Sequence, residues 1–393
     1  MADHSFLEWP FLDESHRALA ERLEDWCQTT LAPLGHSETD VDAQCLHLLR
    51  LLGEGGWLRY AVPAAHGGIF EQLDVRSLSL IRETLARYSG LADFVFAMQG
   101  LGSGTVALFG TDAQKTALLP GIARGDLMGA FALTELESGS DVANMTSSAV
   151  RDGEDWIING AKTYISNGGI ATQYVLFVRT GEAPGARGLS AFLVPANTPG
   201  LEIAERIQVM APHPLAALRF TDMRLPADAL IGEPGRGFMH AMATLDIFRT
   251  TVGAAALGFA RRALDEATSR ALTRQLQGKP LSDNAVVQAQ LADMALDIDT
   301  AALLIYRAGW TRDVAGQRNT REAAMAKLHA TDSAQRVIDQ ALQIHGGLGV
   351  VHGHIVESLF REVRALRIYE GASEVQRVVI AREVLNSAKG ANR

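Results

Sequence analysis

The chain has 393 residues, more than the roughly 250–300 at which a single core stops growing, so two or three domains are expected. Apolar residues at 47% and charged residues at 21% exclude a chain that is disordered throughout. The two cysteines, Cys27 and Cys45, exclude a disulfide scaffold or a cysteine-built zinc module, and the net charge of −9 tells against a protein that works by neutralising nucleic-acid phosphates.

The first residues, Met1-Ala2-Asp3-His4, show no basic region followed by an apolar run. No secretory signal is therefore expected, the cytoplasm is the default, and both cysteines would be free thiols. Ser15–Leu31 and Asp42–Glu54 space their apolar residues as helices do. Phe94 to Thr111 is an uncharged stretch of 18 residues, close to membrane-spanning length. Gln99, Ser103 and four glycines (Gly100, Gly102, Gly104, Gly110) make it instead a buried helix and its turn. Asp112 is expected to cap a helix over Ala113–Leu119 that stops at Pro120-Gly121. Residues 1–126 thus form a helical domain.

Residues 127–240 read as β. Ala149–Arg151, Trp156–Asn159, Tyr174–Arg179, Leu189–Val194 and Leu201–Gln208 are short runs rich in Val, Ile and aromatics, with turn signals between them. Asn159-Gly160 after Trp156-Ile157-Ile158 predicts a hairpin turn. Short strands and short turns predict an antiparallel barrel or sandwich. From residue 241 to 393 helices return, over Ala241–Leu276, Ala285–Ala315 and Arg321–Ile344, with shorter ones at about 354–366 and 373–386. They suit a four-helix bundle.

Four constellations could carry chemistry. Thr134-Glu135-Leu136-Glu137-Ser138-Gly139-Ser140-Asp141 offers backbone N–H groups and short hydroxyls to a polar ring edge or phosphate; read alone it is a helix cap before Val142. Asn159 to Gly168 carries Tyr164 and Ser166 two residues apart, on one face of a strand, where they could stack on and bond to a planar ligand; read alone it is a hairpin. Gln343-Ile344-His345-Gly346-Gly347 follows a helix rather than a strand, so it fails the test for a dinucleotide loop. Tyr369-Glu370-Gly371-Ala372-Ser373 sets a carboxylate on a turn, where desolvation would make it a useful general base; read alone it is solvated. His345, His352 and His354 lack a neighbouring carboxylate or cysteine, so no metal site is expected.

In this order and on this plan, the four constellations resemble the acyl-CoA dehydrogenase family over roughly residues 10–386. Thr134-Glu135 with Gly139-Ser140-Asp141 is similar to that family's first signature, and Tyr369-Glu370-Gly371 to its second. Asn159-Gly160, Lys162 and Ile165-Ser166-Asn167, then Phe220, Leu225-Pro226 and Gln343 to Gly347 fill the space between. The resemblance implies FAD, an acyl-CoA substrate, removal of the α-proton by a carboxylate, hydride transfer to flavin N5, and a trans-2-enoyl-CoA product. It implies an electron-transfer flavoprotein as partner, a homotetramer, and neither nucleic acid nor a stable membrane association.

Carried over position by position, the resemblance makes Glu370 the base. Phe131, Leu133, Thr134, Gly139, Ser140, Tyr164, Ile165 and Ser166 should meet the flavin. Arg274, Gln288, Gln343, Gly346 and Gly347 should meet a neighbouring subunit's FAD, and Gly371, Ser373 and Gln376 should bracket phosphates. Ser140, Asp246, Arg249, Tyr369 and Gly371 should contact substrate. Some relatives place the base on the long helix, where this chain has Phe248, which cannot take a proton. Leu136-Glu137-Ser138, Gln277, Ala372 and Met210-Ala211-Pro212-His213-Pro214 depart from the family's usual residues. The resemblance leaves two other readings: an oxidase on the same scaffold that uses oxygen, and a DNA-associated damage-response relative, which the net charge disfavours.

Overall fold

The computed structural model describes residues 3–35 and 38–391. The outermost residues of the first and last expected domains, 1, 2, 392 and 393, lie outside it. Helices α1 (Glu14–Trp26), α2 (Val41–Glu54), α3 (Val75–Tyr88), α4 (Gly90–Phe109) and α5 (Asp112–Arg124) come first. Eight strands follow: β1 (Gly129–Ala132), β2 (Ser148–Asp152), β3 (Asp155–Ser166), β4 (Gln173–Arg179), β5 (Leu189–Pro195), β6 (Leu201–Ile207), β7 (Leu215–Pro226) and β8 (Leu230–Ile231). Then come α6 (Gly237–Thr273), a hairpin of β9 (Gln275–Leu276) and β10 (Lys279–Pro280), α7 (Ala285–Asp313), α8 (Thr320–His345), α9 (Ile355–Leu366) and α10 (Ser373–Ala391). Helical, sheet and helical parts succeed one another as expected.

By contacts the chain divides into two compact units, one of Met1–Ser37, Asp74–Asp93 and Arg249–Arg393, the other of Glu38–Leu73 and Phe94–Phe248. In the first unit, α7, α9 and α10 all pack on α8. Its buried Ala323, Ala326, Ala330, Ala334 and Ala341 recur at helical spacing, and such small side chains let helices approach closely. Buried ionic groups stitch this unit together. Arg82 holds Asp93 through two bonds of 2.8 Å, and Arg261 and Tyr306 both donate to Glu83. Arg76 donates its backbone N–H to Asp313 and its guanidinium to Asp74.

In the second unit the sheet runs β6-β7-β3-β2-β4-β5-β8, with β1 added beside β4. Most pairings are antiparallel, while β1–β4 and a single β2–β4 bridge are parallel. Its core gathers Trp156, Ile158, Tyr174, Leu176, Phe192 and Phe220. The apolar helix α4 passes by length and composition for a membrane span, but 72% of its most apolar window is buried, as in a core helix. Within this unit the buried Phe248 ring lies on α4: a Cβ on Gly100 would come within 2.4 Å of it.

Several local expectations are corrected. Thr111, not Asp112, caps α5: its side chain accepts from Gln114 N–H, and the Gln114 side chain accepts from Thr111 N–H. Pro120 does not stop that helix. Burial of Leu118, Leu119 and Ile122 outweighs the missing N–H, and the helix ends at Gly125, φ +77°. Asn159-Gly160 is not a hairpin turn but an irregularity inside β3, opposite β7. Gly160 has φ +142°, and a Cβ there would lie 2.3 Å from Ser147 Oγ, while Asn159 bonds Asp222 across the sheet. The turn joining β2 to β3 is at Gly153, φ +62°. Gln275–Leu276 leaves the helix for a hairpin whose turn, Gln277-Gly278, has positive φ at both residues.

Candidate active site

In the first unit, Glu370 sits on the turn between α9 and α10 with φ +52°, a conformation strained for a residue with a side chain. The turn is braced on all sides. Asp332 of α8 accepts from Arg367 Nε at 2.7 Å and from Ser373 Oγ at 3.3 Å, tying together its two ends. Lys327 Nζ and Gln376 Nε2 both donate to the Gly371 carbonyl at 2.8 Å. Arg249 Nε donates to the Glu370 carbonyl at 3.4 Å.

Glu370 as a whole is half-buried, and its carboxylate turns one oxygen inward. Its Oε2 is buried with no hydrogen-bond partner among the described residues. Burial raises its pKa above the ordinary carboxylate range; the charges of Arg82, Lys327 and Arg249 oppose that rise, and Asp93 adds to it. Burial also lowers the Lys327 ammonium to about 8, against the attraction of Glu370. A carboxyl so placed can take a proton from a weak carbon acid.

Sequence reasoning missed Arg82, Asp93 and Lys327. A usable signal existed for Lys327, a lone cation in the alanine-rich Ala323–Ala330 run. The buried Arg249 was expected as a substrate contact and is placed beside the Glu370 turn. Ser373 and Gln376 were expected to bracket phosphates. Both side chains are buried, and within the turn Ser373 donates to Asp332 and Gln376 Nε2 to the Gly371 carbonyl, while Gln376 Oε1 has no partner among the described residues. Tyr369 is 41% exposed next to it.

In the second unit, Phe131, Leu133 and Ile165 are buried while Tyr164 is 54% exposed. Tyr164 has φ +55° at the second irregularity of β3, so the regular alternation that would have paired it with Ser166 is broken there. Glu135 is buried beneath a turn in which the Ser138 N–H donates to the Glu135 carbonyl, with Leu136 exposed at its tip. Its carboxylate accepts from Lys162 Nζ at 2.9 Å and from the N–H groups of Thr146 and Ser147. Burial pushes its pKa up, but the Lys162 charge and these hydrogen bonds prevail and hold it at about 2. Asp141, expected as a cap before Val142, makes no side-chain cap. Gly139 and Ser140 are exposed, as is Glu137.

These residues fit a flavin on the chemistry of their donors. Exposed hydroxyls of Ser140 and Tyr164 accompany a backbone at Gly139 where an added Cβ would meet nothing within 4 Å. In the first unit Gly346 and Gly347 at the end of α8 are equally open, next to the exposed Gln343. Arg274 and Gln288 are exposed beside the β9–β10 hairpin, Gln288 donating to the Ser282 carbonyl. Asp246 is half-buried on α6, in the second unit.

Comparison with known proteins gives one answer along the whole chain. It matches the descriptions "Acyl-CoA dehydrogenase, N-terminal domain" over residues 13–126, "middle domain" over 130–223 and "C-terminal domain" over 235–385. It is 36% identical over 390 residues to the mitochondrial short-chain specific acyl-CoA dehydrogenase of Homo sapiens, covering 98% of this chain and 93% of that relative. Among solved structures, butyryl-CoA dehydrogenase from Megasphaera elsdenii superposes with TM-score 0.87 at 32% identity, over 95% of this chain and 99% of the other. A glutaryl-CoA dehydrogenase from Mycobacterium smegmatis in complex with FADH2 superposes with TM-score 0.85 at 27% identity, over 95% of each chain.

Proposed function

The chain belongs to the acyl-CoA dehydrogenase family, a group of FAD-dependent oxidoreductases, and on that premise we propose that Glu370 takes the α-proton of an acyl-CoA thioester while the β-hydrogen leaves as hydride, giving a trans-2-enoyl-CoA. The observation that carries this reading is the buried, unpartnered Oε2 of Glu370 on its braced turn. A carboxylate with a buried oxygen is a stronger base than a fully solvated one, and the charges of Arg82, Lys327 and Arg249 favour its ionised form against the rise that burial imposes.

Bound FAD supplies the hydride acceptor. Thr134, Gly139, Ser140, Tyr164 and Ser166 would hold it, over the buried Phe131, Leu133 and Ile165. Arg274, Gln288, Gln343, Gly346 and Gly347 would serve the FAD of another subunit. Arg249, Asp246, Ser140, Tyr369 and Gly371 would face the substrate. The acyl group is short and uncharged: relatives named above are short-chain and butyryl-CoA enzymes, the Phe248 ring fills the space over Gly100, and residues 89–108 contain no arginine to meet a second carboxylate. Electrons pass to an electron-transfer flavoprotein. The exposed Val286, Leu296 and Leu303 of α7, with Val314 just after it, favour an assembly that covers them, a homotetramer, and two buried free cysteines fit a reducing cytoplasm.

Glu370→Gln tests the reading. The variant should keep yellow FAD, while anaerobic bleaching by butyryl-CoA slows at least ~100-fold. Bleaching at near the wild-type rate would remove Glu370 from the reaction.

A further inference from the structure

Lys327 stands among Ala323, Ala324, Ala326 and Ala330 of α8 and is fully buried. Its Nζ donates to the Gly371 carbonyl, and no carboxylate lies within ion-pair distance among the described residues. A buried ammonium is costly unless it is paired, and a methionine would fill the same slot without that cost. Holding the carbonyl does not require it either, because Gln376 Nε2 already donates to the same oxygen at the same distance. What the position adds is therefore the charge.

The groups that face this charge come from every element packed on the turn. Arg82 of α3 is matched by Asp93 of α4. Arg249 of α6, Asp332 of α8, Glu374 of α10 and Glu370 itself complete the set, and Glu370 is the strongest electrostatic partner of Lys327. Arg82 acts on Glu370 most strongly but is bonded twice to Asp93, and Arg249 gives its Nε to a carbonyl; Lys327 comes second, ahead of Arg249, among the charges that favour ionised Glu370.

We propose that Lys327 is a positioning residue for Glu370, pinning the turn through the Gly371 carbonyl and holding the neighbouring carboxylate in its ionised, proton-accepting form. The inference rests on the reading of Glu370 as the base. With Lys327 charged, the ionised form of Glu370 is favoured in surroundings whose burial disfavours it. The lowered value of the ammonium itself, about 8, leaves it charged over the range in which the carboxylate must work.

The test is the pH dependence of kcat/KM for butyryl-CoA in the FAD-loaded enzyme, compared among Lys327→Met, Lys327→Gln and Lys327→Arg. The two neutral variants should move the acid limb to higher pH by about one pH unit, and lower kcat/KM by ~10-fold at pH values well below the wild-type midpoint. Lys327→Gln keeps a donor for the carbonyl, so the same displacement there separates charge from pinning. Lys327→Arg should return the limb to its wild-type place. If one neutral variant cannot be isolated with FAD, the other decides the matter; if neither can while Lys327→Arg is normal, the charge is still required, and if all three fail alike it is not the charge that matters and the proposal falls. An acid limb unmoved in a neutral variant also overturns it. A dead Glu370→Gln beside an unmoved limb sinks Lys327 alone, whereas a live Glu370→Gln sinks the base assignment.

Discussion

Replacing Glu135 by Gln should loosen the sheet unit at the turn that carries the proposed flavin contacts, and the size of the effect can be worked out. Glu135 is 7% exposed, and its carboxyl is held at about 2 against an ordinary 4.5. At ~1.4 kcal/mol per pKa unit that difference is worth ~3 kcal/mol at pH 7. Breaking a buried ion pair from one side typically costs ~3–5 kcal/mol, which agrees. The Lys162 ammonium, fully buried, would keep only neutral acceptors, among them the Leu133 carbonyl and the Met145 sulfur. Because the folded value lies below the ordinary one, the stabilisation is present above about pH 4.5 and is lost as pH falls toward 2. The gap between wild type and Glu135→Gln should therefore shrink to ~1 kcal/mol at pH 3. Urea titrations from pH 7 to pH 3, read by FAD release and by circular dichroism, measure it. Adding Lys162→Met should recover most of the loss, since the pair is then replaced by apolar packing. A single variant within 0.5 kcal/mol of wild type at pH 7, or a gap that does not narrow with acid, would refute the reasoning.

Three further outcomes follow from the charged groups and the turn. Since burial raises Glu370, the wild-type kcat/KM should fall on the acid side with a midpoint above 4.5; a midpoint at or below that value would contradict the reading of Glu370, with its buried Oε2, as the group that takes the proton. Burial and the neighbouring Asp74 raise Asp313 to about 6, so its stabilisation is complete below 3.8 and lost as pH rises through about 6. Asp313→Asn, which keeps an acceptor for the Arg76 N–H, should then stabilise the enzyme by ~1–3 kcal/mol at pH 8 and hardly at all at pH 4; equal effects at both would be the wrong result. Gly371→Ala forces a Cβ to within 2.5 Å of Gln376 Nε2 at φ +92°, and should cost ~1–2 kcal/mol and at least ~10-fold in kcat while FAD stays bound. Normal turnover by that variant would show that the brace on the Gly371 carbonyl is dispensable.

The helices were legible because their signal is local: α2, α8 and α9 lie within a residue or two of where periodicity places them. What failed was punctuation. Asn159-Gly160 has the composition of a hairpin turn, but the demand it answers is the close approach of Ser147, which lies on another segment of the chain. Pro120 was overruled by apolar neighbours buried through tertiary packing. β7 escaped notice because Arg219, Asp222 and Arg224 interrupt it, and these face solvent or other strands' side chains. The turn that carries Glu370 was legible from Tyr369-Glu370-Gly371. Its electrostatic company was not, because a buried cation is meaningful only beside the partner it answers, and Arg82 is 288 residues from Glu370. That company exists only in three dimensions.

The same separation fixes when the site can come into being. The unit that holds it begins with the N-terminal helices, is interrupted by the sheet unit, and is completed by the last third of the chain. At about 5–20 residues per second a ribosome needs roughly 15–60 s to travel from Arg82 to Glu370. Throughout that time Lys327 and Arg249 either have not been made or have no Glu370 to face. A product truncated before the final turn would carry buried cations without their carboxylate, and would be marked by its own instability as unfinished. Glu370 is thus among the last groups of the helical unit to be made, and the cations that face it acquire this carboxylate only as the chain nears its end.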